Sequence, residues 1–136
     1  QFGQALPLVV DLHRTFPREP QVIAWLAIIH SKLGSTGEEA TAWENYVRIS
    51  RTPAIACPAL PEAYARLGDE QQALAAYERC VTFDPQDPDR LFDLANAYRR
   101  SNRTSAALEL YRQAVSLDPY NPVLSERLSS LSEGRP

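Results

Sequence analysis

A spacing of 34 residues constrains this chain more than any other feature. Leu26, Leu60, Leu94 and Leu128 fall on it, as do Gly34, Gly68 and Asn102. Glycine and asparagine tolerate the left-handed backbone conformation that closes a helix. Leu33 and Leu67 precede the two glycines. Pro17, Pro85 and Pro119 share the spacing, with Arg51 in the remaining place, and so do Pro20, Pro88 and Pro122, with Ala54 in theirs. Self-similarity at this period predicts stacked units, none of which can bury its apolar stripe alone.

Each period reads as two helices, most clearly over 88–118. Asp87-Pro88 is a helix start, combining a side-chain cap with a residue that has no amide proton to leave unsatisfied. Leu91, Leu94, Ala95 and Tyr98 follow at helical spacing. Ser101-Asn102-Arg103-Thr104 makes the turn, and Ala107, Leu108, Tyr111, Ala114 and Val115 form the second stripe. Asp118-Pro119 stops the helix, and Asn121-Pro122 opens another.

Leu91-x2-Leu94-Ala95-x2-Tyr98, then Ala107-x3-Tyr111, then Pro119, resembles the tetratricopeptide pattern W-x2-L-G-x2-Y…A-x3-F…P. The preceding period supplies Cys57-x2-Leu60-Pro61-x2-Tyr64, Ala73-x3-Tyr77 and Pro85, with Pro58 and Pro61 placing the start of its first helix in question. The period before supplies Ile23-x2-Leu26-Ala27-x2-His30 and Ala40. Either Trp43 or Glu44 takes its large-aromatic slot, depending on whether Ser35-Thr36 holds an inserted residue. The resemblance implies an all-α fold, a right-handed tetratricopeptide-type solenoid of antiparallel helix pairs. It is expected as a single array over 1–136. The parts are a half-repeat helix at 4–16, repeats at 20–53, 54–87 and 88–121, and a terminal half-repeat or capping helix at 122–133.

The two ends are complementary halves. Ala5, Val9 and Leu12 align with Ala73, Tyr77 and Cys80 of a second helix, whereas Leu124, Leu128 and Leu131 mark a first helix, with Ser129 aligned to Ala95. A copy placed after Pro136 would continue the register at Gln1. Head-to-tail contacts of that kind build rings or filaments. The alternative is a polar-faced cap, to which Ser125, Glu126, Arg127, Ser130 and Ser132 are suited. No methionine occurs, so residue 1 is not a translation start, and the chain is processed or part of something longer.

In the resembled family the first helix of each pair lines a groove that accepts a segment of a partner protein. Mapped through the repeat, that wall comprises Gln21, Ala24, Ile28, Ser31 and Lys32, then Ile55, Glu62, Ala65 and Arg66, then Asp89, Phe92, Asn96, Arg99 and Arg100. Lys32, Arg66, Arg99 and Arg100 form a basic rim beside apolar Ile28 and Phe92, which favours an acidic partner segment. A solvated charged face is the plainer reading of the same arginines. The expected function is therefore non-catalytic: a protein-binding scaffold or, alternatively, a subunit that joins copies of itself into a filament.

Other chemistry is poorly represented. A net charge of −3 does not favour nucleic acid. The longest apolar run, 22–29, falls well short of the roughly 20 residues of a membrane span. Cys57 and Cys80 belong near adjacent ends of antiparallel helices, where they either form a disulfide or fill slots for small apolar groups. Asn102-Arg103-Thr104 is a glycosylation triplet on a surface turn, of consequence only if the protein is exported. His13 and His30 are the only histidines, and His30 stands where the next two periods have Tyr. No spacing suggests a metal site, a phosphate loop or an activated nucleophile, and no cofactor is expected.

Overall fold

The computed structural model describes residues 1–134. Among them are eight α-helices and no strand: α1 (Phe2–Thr15), α2 (Pro20–Lys32), α3 (Thr36–Ile49), α4 (Ala59–Arg66), α5 (Glu70–Phe83), α6 (Pro88–Arg100), α7 (Thr104–Leu117) and α8 (Pro122–Ser132). A short 3-10 helix, Pro53–Ala56, precedes α4. Pro136, after which a following copy would continue the register, lies outside the described residues. The chain divides into two compact units, Gln1–Ala73 and Leu74–Pro136, with the boundary inside α5. Repeat folds lack one central core, because each helix packs only on its neighbours.

Local chemistry sets the helix ends. Asp87 and Asn121 cap α6 and α8 by accepting the amide protons of Asp89 at 2.9 Å and Val123 at 3.1 Å. Asp69 does the same for α5 through Gln72. Pro20, Pro88 and Pro122 each occupy the first position of a helix. Gly34, Gly68 and Asn102 close the first helices with φ of 74°, 78° and 61°. The prolines of the middle period have the effect raised by the sequence. Its first helix is split into the 3-10 turn and an α4 of only 8 residues, with a cis peptide bond at Cys57-Pro58 between them.

In the N-terminal unit α2 packs on both α1 and α3, and α3 packs on α4. Burial is accordingly heaviest on α2, which covers Val22, Ile23, Ala24, Leu26, Ala27 and Ile29. Trp43 is buried on α3 and meets Tyr46 edge to face at 5.7 Å. Trp43 lies 34 before Tyr77, so it takes the aromatic slot and no residue is inserted at Ser35-Thr36. In the C-terminal unit Ala95, Ala107 and Tyr111 form a fully buried contact between α6 and α7. The alanines are small where the two backbones approach, and the tyrosine fills the space beside them.

One polar contact recurs with the period. Tyr64 donates to Glu44 at 2.7 Å, and Tyr98 donates to Glu78 at 2.8 Å. Each bond joins residues 20 apart, from the second helix of one pair to the first helix of the next. His30 has Val10 at the equivalent place, and its Nδ1 is buried without a partner.

Candidate functional site

The helix that buries most also exposes one clean stripe. Gln21, Trp25, Ile28 and Lys32 stay in solvent on α2, spaced as one helical face. Trp25 is 43% exposed and Ile28 44%, side by side on one helical face. In the 3-10 turn and α4 the lattice-equivalent positions are Ile55, Ala59, Glu62 and Arg66, of which Ile55 is 59% exposed. One residue that the sequence placed on the wall is not exposed. Ala24 is buried in the core, and Trp25 takes its place on the exposed stripe. The repeat alignment hid Trp25 because its equivalents, Ala59 and Asp93, are not aromatic; helical spacing from Gln21 to Ile28 would have found it.

Arg66 is not simply a solvated cation. Its guanidinium donates to Glu39 at 2.7 Å, and the Glu39 side chain is only 2% exposed against 49% for Arg66. With Trp43 in the aromatic slot, Glu39 occupies the small-residue position that Ala73 and Ala107 hold in later periods. A carboxylate buried there requires a partner, because stripping its hydration without one is costly. Arg66 supplies that partner while keeping half its surface in solvent, so the buried acid fixes how this cation is presented. Lys32, one period earlier, is exposed and has no ion pair among the described residues.

The C-terminal unit carries a different arrangement. Phe92 is half-buried with its ring 5.8 Å from that of Tyr111, so it belongs to packing as much as to a wall. The Tyr111 hydroxyl donates to Asn96 Oδ1. Burial pushes the Tyr111 phenol above its ordinary value, opposed by the charges of Arg99, Arg127 and Arg100 and a hydrogen bond from Arg99. Burial likewise raises Tyr98, with the Glu78 carboxylate adding to the shift. Arg99 is half-buried and Arg100 exposed.

The remaining predicted positions are distributed as follows. Ala5, Val9 and Leu12 are half-buried on α1. Leu124 is buried with Leu91 and Ala114, and Leu128 and Leu131 pack against Ala95, Ala107 and Tyr111. The apolar stripe of α8 is thus turned onto α6 and α7. Cys57 and Cys80 are both buried, and neither is a free thiol. Asn102 is exposed at the turn, beside an Arg103 guanidinium 5.6 Å from the Tyr98 ring. Among the described residues no group of His, Cys, Asp and Glu could hold a metal ion, and no helix is long and apolar enough to cross a membrane.

The fold recurs widely among solved structures. MamA from Desulfovibrio magneticus RS-1 matches at a TM-score of 0.80 and 19% identity over 98% of this chain and 75% of that one. The first tetratricopeptide domain of Spaghetti (RPAP3), bound to the HSP90 peptide SRMEEVD, matches at 0.71 and 16% identity over 85% and 91%. The Cut9–Hcn1 hetero-tetramer of the APC/C matches at 0.74 and 14% identity over 96% and 26%. These likenesses establish an all-α tetratricopeptide-type fold of antiparallel helix pairs. No curated protein sequence matches. One family model does, over residues 28–129, three quarters of the sequence, and by that match the chain belongs to the bacterial transcriptional activator domain family.

Proposed function

We propose that this chain is a non-catalytic protein-interaction module that holds a partner's segment along the exposed stripe of α2 and the 3-10 turn before α4. The observation that carries the reading is Trp25 and Ile28 standing in solvent on the helix that is otherwise the most buried of its unit, with Ile55 exposed one period on. Clustered aromatic and aliphatic groups within a polar surround mark interaction sites, and Trp is among the residues that dominate binding energy. Lys32 and the Glu39-held Arg66 border the stripe and favour acidic groups flanking an apolar anchor. The RPAP3 domain, which holds an HSP90 peptide, shows that a fold of this shape can carry a peptide. The family's name supports reading such a module as part of a bacterial activator of transcription, and the net charge of −3 suits a protein contact better than a DNA contact.

The alternative, head-to-tail assembly into a filament, draws less support, because Leu124, Leu128 and Leu131 already pack within their own unit. A test begins with a random peptide display library selected on the full chain. Peptides that bind should lose tenfold or more in affinity on Trp25→Ser or Ile28→Ser, and be unchanged on Leu8→Ser, a control on the exposed side of α1. Selected peptides indifferent to both stripe substitutions would overturn the assignment.

A further inference from the structure

We propose that the open face of α1 is a docking site for an amphipathic helix from outside this chain, which packs on α1 as α6 packs on α7. The inference is independent of the α2 stripe. Ala5, Leu8, Val9 and Leu12 fall at i, i+3, i+4 and i+7 on α1, one continuous apolar stripe. Three periods later the equivalent residues are Ala107, Leu110, Tyr111 and Ala114 of α7. Two first helices cover those. α6 brings Leu91, Phe92, Ala95 and Tyr98, and α8 brings Leu124, Leu128 and Leu131. Under that double cover Ala107, Tyr111 and Ala114 have no exposed surface. α3 is likewise packed by both α2 and α4, and it buries Glu39, Trp43 and Tyr46 at the equivalent places. α1 has α2 in the place that α8 takes on α7. Among the described residues nothing takes the place of α6. Ala5, Val9 and Leu12 remain half-buried, Leu8 is 73% exposed, and α1 buries no residue.

A plainer account makes α1 a terminal cap. Caps of repeat arrays present a polar outer face, and α8 does so. Ser125, Ser129 and Ser132 stand where α6 has Leu91, Ala95 and Tyr98, and the last two serines are exposed. The stripe of α1 holds no polar residue. The same serines argue against a second copy as the occupant, because its α8 would set hydroxyls against Leu8 and Val9 and leave them without apolar contact. The family match begins at residue 28, so this face lies outside it. The repeat also states what the occupant brings. Ala5 holds the place of Ala107, which meets Ala95, so the occupant needs a small residue there to let the two backbones approach. Val9 is smaller than Tyr111 and Leu12 larger than Ala114. The helix that fits therefore carries more bulk than α6 opposite Val9, and less than Leu91 opposite Leu12.

The probe is a displayed peptide library built on the α6 sequence, residues 86–102, randomised at the places of Leu91, Phe92, Ala95 and Tyr98 and selected on the full chain. Selected peptides should carry Ala, Gly or Ser at the Ala95 place. Their affinity should fall about tenfold or more on Leu8→Ser, which removes one large apolar group from the contact, and stay unchanged on Trp25→Ser. Leu8 already stands in solvent, so urea denaturation of Leu8→Ser should match the parent, and the loss then reports docking rather than folding. Circular dichroism should show the peptides gaining helix on binding. A library that yields no binder, peptides indifferent to Leu8→Ser, peptides that stay non-helical when bound, or bulky residues at the Ala95 place would overturn the proposal. So would a parent chain that sediments as a dimer while Leu8→Ser sediments as a monomer, since a second copy would then be the occupant.

Discussion

The Glu39–Arg66 pair gives an asymmetric prediction. Removing Arg66 strands a carboxylate that is almost wholly buried, and breaking a buried pair from one side costs about 3–5 kcal/mol. Arg66 is half exposed, so water reaches the site once the side chain is gone, and about 2–3 kcal/mol is the better expectation for Arg66→Ala. Removing Glu39 is a different operation. The Arg66 head turns to solvent, the charge-assisted hydrogen bond worth about 1.5–3 kcal/mol is lost, and the several kcal/mol spent on desolvating the carboxylate are recovered. Alanine is also what Ala73 and Ala107 supply at this slot, so Glu39→Ala should stay within about 1 kcal/mol of the parent. The double variant should resemble Glu39→Ala alone, leaving a coupling of about 2 kcal/mol. Urea denaturation followed by circular dichroism measures all three, and Arg66→Ala should also lower the melting temperature by several degrees. A Glu39→Ala loss equal to or larger than that of Arg66→Ala would refute the reasoning, since the carboxylate would then be a net stabiliser.

Four further outcomes are expected. Tyr98→Phe and Tyr64→Phe should each cost about 0.5–1.5 kcal/mol, through the lost bonds to Glu78 and Glu44, measured by the same urea titration. Tyr98 and Tyr111 ionise above the ordinary phenol value of 10.0 in the folded chain. Their contribution to stability is therefore complete below pH 10, and it should fall as pH rises through their folded values, seen as late tyrosinate absorbance and a dropping melting temperature. Ala107→Leu forces bulk into a contact with no free surface, so it should destabilise by about 1–3 kcal/mol or more in a thermal melt. With no free cysteine present, the non-reduced chain should weigh two hydrogens less than the reduced chain on mass spectrometry, and alkylation of the native protein should label neither residue.

The helix pairs were legible because their punctuation is local. Asp87-Pro88, Asn121-Pro122, Gly34 and Gly68 act within a turn of where they stand, so their effect needs no knowledge of the fold. The slot between Trp43 and Glu44 was ambiguous from sequence, because the register of both depends on an earlier turn, Ser35-Thr36, whose length was uncertain. Packing resolves it, since Trp43 is buried and Glu44 is bonded to Tyr64. The exposed faces of the first helices were harder to read. Alignment to a repeat transfers positions but not side chains, so it placed Ala24 on the wall and passed over Trp25. It also treated Arg66, Arg99 and Arg100 alike as a basic rim. Their differences arise from tertiary partners: a buried acid on α3 for Arg66, and the phenol of Tyr111 on α7, on which the charges of Arg99 and Arg100 act. None of those partners is near in sequence, and none is visible in the period.

The recurring tyrosine–glutamate bond bears on how such a chain can change its length. Glu44 meets Tyr64 and Glu78 meets Tyr98, each across a separation of 20. If residues 54–87 were excised, Tyr98 would fall 20 positions after Glu44, and the same junction would close. Duplicating that segment would likewise create one more identical junction and leave the others intact. At the outer junctions the equivalent positions hold Val10 and His30, and Arg112 and Ser132, so the tyrosine–glutamate pair recurs only at the inner ones. Recombination that adds or drops a whole period would therefore need no compensating substitution at the joint, whereas an insertion of any other size would break a bond in the middle of the array.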